Sequence, residues 1–145
     1  MVFFDIGQGE ATLITGPLGT TFLIDGGLEG KGNEILVPQL TAMGIIQLDY
    51  LSSTHYHTDH IGGLDELING GIGVTTVLDR GDTHVPNGQP FLDYQAAAAP
   101  MRQTVPSGMV VDLGGGATIT CHAVDGILSD GTVLDLSGSP QEENA

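Results

Sequence analysis

The chain has 145 residues, enough for one domain with a modest core. Three basic residues stand against 18 acidic ones, a formal charge of -15. That balance disfavours an extended nucleic-acid groove, which needs Lys and Arg to neutralise phosphates. The single cysteine excludes an intrachain disulfide, and no apolar run approaches the ~18–20 residues of a membrane span. Met1 leads at once into Val2-Phe3-Phe4, which reads as a strand and not as a leader, so an exported form would have had its leader removed.

Taken in order, residues 1–6, 11–15 and 20–25 read as strands, with turns at Gly7–Glu10 and Gly16–Gly19. A glycine-rich loop over 26–33 precedes a helix over 34–43, with Asn33 as its cap, Leu36, Leu40 and Met43 as its apolar stripe and Gly44 as its stop. A strand is expected at 49–54, a helix at 61–69 and a strand at 73–79. Residues 80–91 read as a long loop, of the kind that often carries function. Residues 92–103 read as a helix broken near Pro100, and 109–112 and 117–124 as strands split by three glycines. Alternation in the last strand puts Cys121 with Ile119 and Ala123, as a small core residue, and His122 on a polar face. Residues 1–136 form the domain, and the polar 137–145 read as a linker-like end. Strands, helices, then strands again argue for a layered α/β domain.

The chemistry concentrates in His55-Tyr56-His57-Thr58-Asp59-His60, which holds three of the five histidines. Imidazole and carboxylate are the donors zinc prefers in catalytic sites. Histidines two apart in an extended or turning segment can point at one ion, and the Asp and last His can point at a second. The alternative, a solvated polar loop with incidental histidines, leaves that concentration unexplained. A short strand before the motif and Gly62-Gly63 after it would place such ligands on a rigid scaffold.

The segment from Thr54 to Leu64 resembles the signature of the metallo-β-lactamase superfamily. Phe4-Asp5-Ile6-Gly7-Gln8-Gly9-Glu10-Ala11 resembles the opening motif of its ComEC-like branch, and Leu23-Ile24-Asp25-Gly26-Gly27 the superfamily's first acidic motif. The resemblance implies an αββα sandwich, of which this chain would be the N-terminal half. It implies His55 and His57 at a first metal, Asp59 and His60 at a second, and a water activated by the ions as nucleophile. Asp59 would orient that water and move its proton. Zinc is the expected ion, with manganese or iron also compatible with these donors. Asp25 is expected behind the ligands, receiving a histidine N–H, unless it only makes turn hydrogen bonds. Asp5 and Gln8 either line the site or make a structural turn. Arg80 and His84, in the long loop, are weaker candidates for meeting substrate, with a local salt bridge for Arg80 and a plain surface histidine as the simpler alternatives.

The resemblance implies a hydrolase acting on a phosphodiester. The acidic composition pulls toward a lactone, thioester or β-lactam-type small molecule instead. A third reading is an inactive metal-binding module, because no further metal ligands are evident. A half-sandwich would expose an apolar sheet face, so the expected partners are the C-terminal half of the same domain or a second copy of the chain.

Overall fold

The computed structural model describes residues 1–135, so the polar end at 137–145, and the proposed boundary at 136, lie outside the described residues. Its centre is a six-stranded sheet in the order β1-β2-β3-β4-β5-β6. β1 (Val2–Phe3), β2 (Thr12–Thr15) and β3 (Thr21–Ile24) run antiparallel. β4 (Gln47–Ser52), β5 (Gly73–Asp79) and β6 (Arg102–Thr104) then add in parallel.

Each parallel step needs a crossover, and right-handed crossovers put their helices on one face. A π-helical turn (Gly32–Leu36) runs into α1 (Val37–Ala42) between β3 and β4. The short helices α2 (Thr58–Ile61) and α3 (Leu64–Asn69) lie between β4 and β5, and α4 (Gln89–Ala98) between β5 and β6. Leu36, Leu40, Leu64, Leu67, Phe91 and Tyr94 bury against Leu13, Leu23, Leu51 and Val77 of the sheet. Burial of each such side chain contributes about 1.5–3 kcal/mol.

The other face carries Phe22, Ile24, Tyr50 and Leu78, covered by the antiparallel hairpin β7 (Val110–Gly114) and β8 (Ala117–Thr120) through Val111, Leu113 and Ile119. A second hairpin, β9 (Ala123–Val124) and β10 (Ile127–Leu128), follows. Helix layer, sheet and the start of a second sheet thus stack as the layered α/β reading requires.

Several local expectations differ from the structure. Asn33 caps nothing with its side chain; the Glu66 carboxylate instead takes the Gly30 and Asn33 N–H groups at 2.6 and 3.2 Å. Met43 follows α1 and is exposed, while Gly44, at φ +76°, ends the helix as expected. The helix over 61–69 is two helices with a bend at Gly62-Gly63. The helix over 92–103 starts earlier, with Pro90 in its first turn, and stops before Arg102, which is a strand residue paired with Val77. The strand over 117–124 breaks at 121–122, so Cys121 is half-buried and not a core residue, and His122 is exposed, 3.3 Å from the Ser129 hydroxyl.

Candidate metal centre

Asp25 and the segment 55–60 follow the C-terminal ends of β3 and β4, where loops leave an α/β sheet and sites are generally found, and the opening motif lies in the β1–β2 loop. β4 ends at Ser52; Ser53 N–H still donates to Leu78 O at 3.2 Å, and the chain then leaves the sheet. His57 is extended (φ -67°, ψ 146°) and precedes the single turn of α2, which carries Asp59 and His60. His60 and Ile61 N–H groups both donate to His57 O, fixing that turn.

His55 Nε2 and His57 Nδ1 face each other at 3.0 Å, their rings crossing at 78°. Two nitrogens on a tetrahedral zinc with bonds of ~2.0–2.1 Å stand about 3.3 Å apart. This pair therefore matches the span of one cation. The His60 ring lies 4.0 Å from that of His55.

Behind them sits Asp25, fully buried and at φ +59°, a conformation that costs a non-glycine residue and is kept only where surroundings enforce it. Its Oδ1 accepts Thr54 N–H at 2.7 Å, and its Oδ2 accepts the Thr54 hydroxyl at 2.7 Å and His60 Nδ1–H at 2.7 Å. A carboxylate only accepts, so the Thr54 hydroxyl, having donated to Asp25, is left to accept from His55 Nδ1 at 3.1 Å. The network thereby assigns Nδ1–H to both His55 and His60 and leaves Nε2 of each as the unprotonated nitrogen, that of His55 accepting from His57 Nδ1–H until an ion takes the place of that proton. Burial pushes the Asp25 carboxyl up, with the His60 and Thr54 hydrogen bonds acting the other way. His55 is pushed down to about 4 by burial and then by the neighbouring charges of His60 and His57, so it stays neutral at ordinary pH.

Asp59 is reached from the opening motif: Gln8 Nε2 donates to its Oδ2 at 3.2 Å. Gly9, at φ +95°, makes that approach possible, since a Cβ there would lie 1.8 Å from the Asp59 carbonyl oxygen. Slight burial acts upward on the Asp59 carboxyl, but the Gln8 amide and the charges of His60 and His57 hold it below the usual range. Asp5 is exposed, and no hydrogen bond ties it to the motif among the described residues.

The loop candidates divide. Arg80 is buried and points inward: Nη1 donates to Thr83 O at 2.6 Å and to Asp125 at 3.0 Å, and Nη2 to His84 O at 3.0 Å. His84 supplies that backbone carbonyl, while the residue itself is exposed. Two cavities flank the histidines. One of about 390 Å³ lies between the sheet and the β7–β8 hairpin, apolar along Phe22, Leu78, Met109 and Ile119 and ending at Thr54 and His55. A second of about 200 Å³ is lined by Tyr56, His57, Thr58, Arg80 and Pro86.

Thr54, Tyr56, Asp79 and Arg102 were not legible as site residues. Tyr56 carried no signal beyond its place between two histidines, and Arg102 was hidden inside an expected helix. Among the described residues, no three His, Cys, Asp or Glu side chains converge on one metal position. His55 and His57 face each other, His60 lies against His55, and Asp59 projects from the same turn as His60, held by Gln8.

Solved structures with this fold include the metallo-beta-lactamase SMB-1 bound to 2-mercaptoethanesulfonate (24% identity, TM-score 0.54, covering 76% of this chain and 45% of that one). MEM-A1, a subclass B3 metallo-beta-lactamase from a soil metagenome library, aligns at 24% identity and TM-score 0.55, over 78% of this chain and 46% of that one. A Cronobacter sakazakii metallo-beta-lactamase with a HARLDQ motif aligns at 17% identity and TM-score 0.55, over 89% and 58%. The chain thus spans about half the length of the structures it matches. No curated protein matches it. The family model "Metallo-beta-lactamase superfamily" matches residues 5–132, nearly the whole described chain, and the chain belongs to that superfamily.

Proposed function

We propose that the chain carries the metal-binding motif of a divalent-metal hydrolase, with His55 and His57 holding one ion and Asp59 and His60 contributing to a second. The observation that carries this reading is the facing pair His55 Nε2 and His57 Nδ1, 3.0 Å apart. Zinc suits these donors best, with manganese and iron as alternatives. When bound, the ions would polarise the scissile bond and lower the pKa of water. The protein's own contribution is orientation and proton handling. Asp25 orients His60 directly and His55 through Thr54. Gln8 holds Asp59, whose carboxylate can orient a nucleophile and take its proton.

For the substrate, a phosphodiester is supported by the ComEC-like opening motif, whose Gln8 reaches the metal turn. A lactone, thioester or β-lactam is supported by a different observation. The cavity of about 390 Å³ beside His55 is apolar, and both arginines are engaged internally, leaving little to attract a polyanion. The solved neighbours are metallo-beta-lactamases, among them a subclass B3 enzyme. We further infer that the ligands missing from both ion positions come from a C-terminal portion of the same domain or from a second copy. Without them the chain would be a metal-binding module that turns nothing over.

Zinc content, with hydrolysis of bis-p-nitrophenyl phosphate, a lactone and a chromogenic β-lactam, tests these readings together. In the protein with its full ligand set, where the wild type turns a substrate over, His57→Ala and Asp59→Ala are expected to cut that turnover at least 100-fold. Because His57 is exposed and Asp59 only half-buried, stability should change by only about 0.5 kcal/mol. Unchanged turnover in either variant would remove the site assignment, and turnover of the lactone alone would remove the phosphodiester.

A further inference from the structure

Two of the chain's three cationic residues converge on one side chain, Tyr56. The Arg80 guanidinium lies over its ring, 4.8 Å from the centroid. The buried Arg80 Nε, which has no hydrogen-bond partner among the described residues, belongs to this stacked group, so the π face offsets part of that cost. Arg102 Nη2 donates to the Tyr56 hydroxyl at 3.0 Å, and that hydroxyl donates to Gly81 O at 2.7 Å. Arg102 is itself fixed by Asp79 at 2.6 Å through Nε and by Asp82 at 2.6 Å through Nη1. Asp79, fully buried at its side chain, also accepts the Tyr94 hydroxyl at 2.7 Å and Gly81 N–H at 2.8 Å.

A buried Arg–Asp pair is a poor way to stabilise a core, because desolvating both charges offsets most of their attraction. What such a pair does well is fix geometry. Tyr56 separates His55 from His57 in the short segment between β4 and α2. Tyr56 faces inward against Phe91 and Tyr94, with ring centroids 4.7 and 6.0 Å away, while the two imidazoles meet each other. Whatever holds the Tyr56 hydroxyl therefore holds the backbone from which both imidazoles project.

We propose that Arg102 and Asp79 are positioning residues for the metal motif, acting through the Tyr56 hydroxyl to keep His55 Nε2 and His57 Nδ1 at one cation's span before an ion arrives. The proposal rests on the metal-site reading above, and adds to it a group reaching in from β5 and β6. Remote partners of metal ligands typically change affinity 10–100-fold when removed.

Tyr56→Phe keeps the ring, and with it the packing on Phe91 and Arg80, and deletes only the hydroxyl. Ile72→Val, just before β5 at the far end of the sheet, is the control for a general loss of stability. Three quantities are read on the full chain: zinc affinity against a chromogenic chelator, the visible spectrum of the cobalt form, and the His55 and His57 ring resonances of the metal-free protein. Tyr56→Phe is expected to weaken zinc binding about tenfold, to alter the cobalt spectrum, and to shift or broaden both ring resonances. Arg102→Lys should fall between Tyr56→Phe and wild type, and Ile72→Val should leave all three unchanged. Equal effects of Tyr56→Phe and Ile72→Val, or no effect of Tyr56→Phe on the ring resonances, would overturn the proposal. If the wild-type chain binds no zinc, the hydrolase reading fails by itself, and the metal-free resonances still decide this one.

Discussion

His55 shows how one residue's surroundings set its chemistry. Its folded-state pKa is lowered to about 4, against about 6.5 for an unperturbed histidine. As pH falls through 6.5 the unfolded chain takes up a proton that folded His55 refuses until about 4. The unfolded state therefore binds more protons in that window, so stability falls from pH 6.5 to 4 and this contribution levels off below. Thermal melts of the metal-free protein across pH 4–7 should show the slope, and His55→Gln should flatten it. An unchanged slope in the variant would assign the effect to other groups. The same shift keeps the imidazole neutral, which is the state a metal requires. The identity of His55 as a candidate ligand was legible in the sequence, because the donor spacing is local. Its protonation was not, because the Asp25 and Thr54 contacts that set its tautomer depend on a separation of 29 residues.

Among elements, the loop joining β1 to β2 is placed by contact with α2 and not by its own propensity. Gly9 lies against the Asp59 backbone, and its φ of +95° suits only glycine. Gly9→Ala should cost about 1–3 kcal/mol in urea unfolding, from strain and the displaced contact. Gln8 should also leave Asp59, so zinc affinity should fall in parallel. A stable Gly9→Ala variant with unaltered affinity would mean that the loop and the motif are independent. The long helical and strand elements were legible from periodicity and from Gly and Pro punctuation. β6 was not, since Arg102–Thr104 has no apolar alternation and exists as a strand only because β5 offers it an edge.

At the scale of the molecule, the second sheet begins but stays small. Among the described residues β7 and β8 pair only with each other, leaving strand edges free. Val110 and Val133 are 57% and 73% exposed, and the 390 Å³ cavity lies beneath the hairpin. Sedimentation at rising concentration is expected to show association, weakened by Val110→Lys on the β7 edge. A monomer at every concentration would remove a second copy as the partner and leave the remainder of the domain as the expected one.

The amino-acid sequence by itself determined the order of strands and helices as far as β5 and the candidate ion-binding motif, because both are written in short runs of neighbouring residues. Superfamily membership was legible for the same reason, in motifs that lie within the first 64 positions. Asp25 behind the ligands and Gln8 beside the site were expected from the resemblance; tertiary structure decided which atoms meet, Asp25 on His60 and Thr54 and Gln8 on Asp59, and it alone brought Arg102 with Asp79 onto Tyr56. Those contacts join residues 23 to 51 positions apart. Neither periodicity nor spacing carries such pairings; they appear only when parallel strands bring their C-terminal ends to one edge.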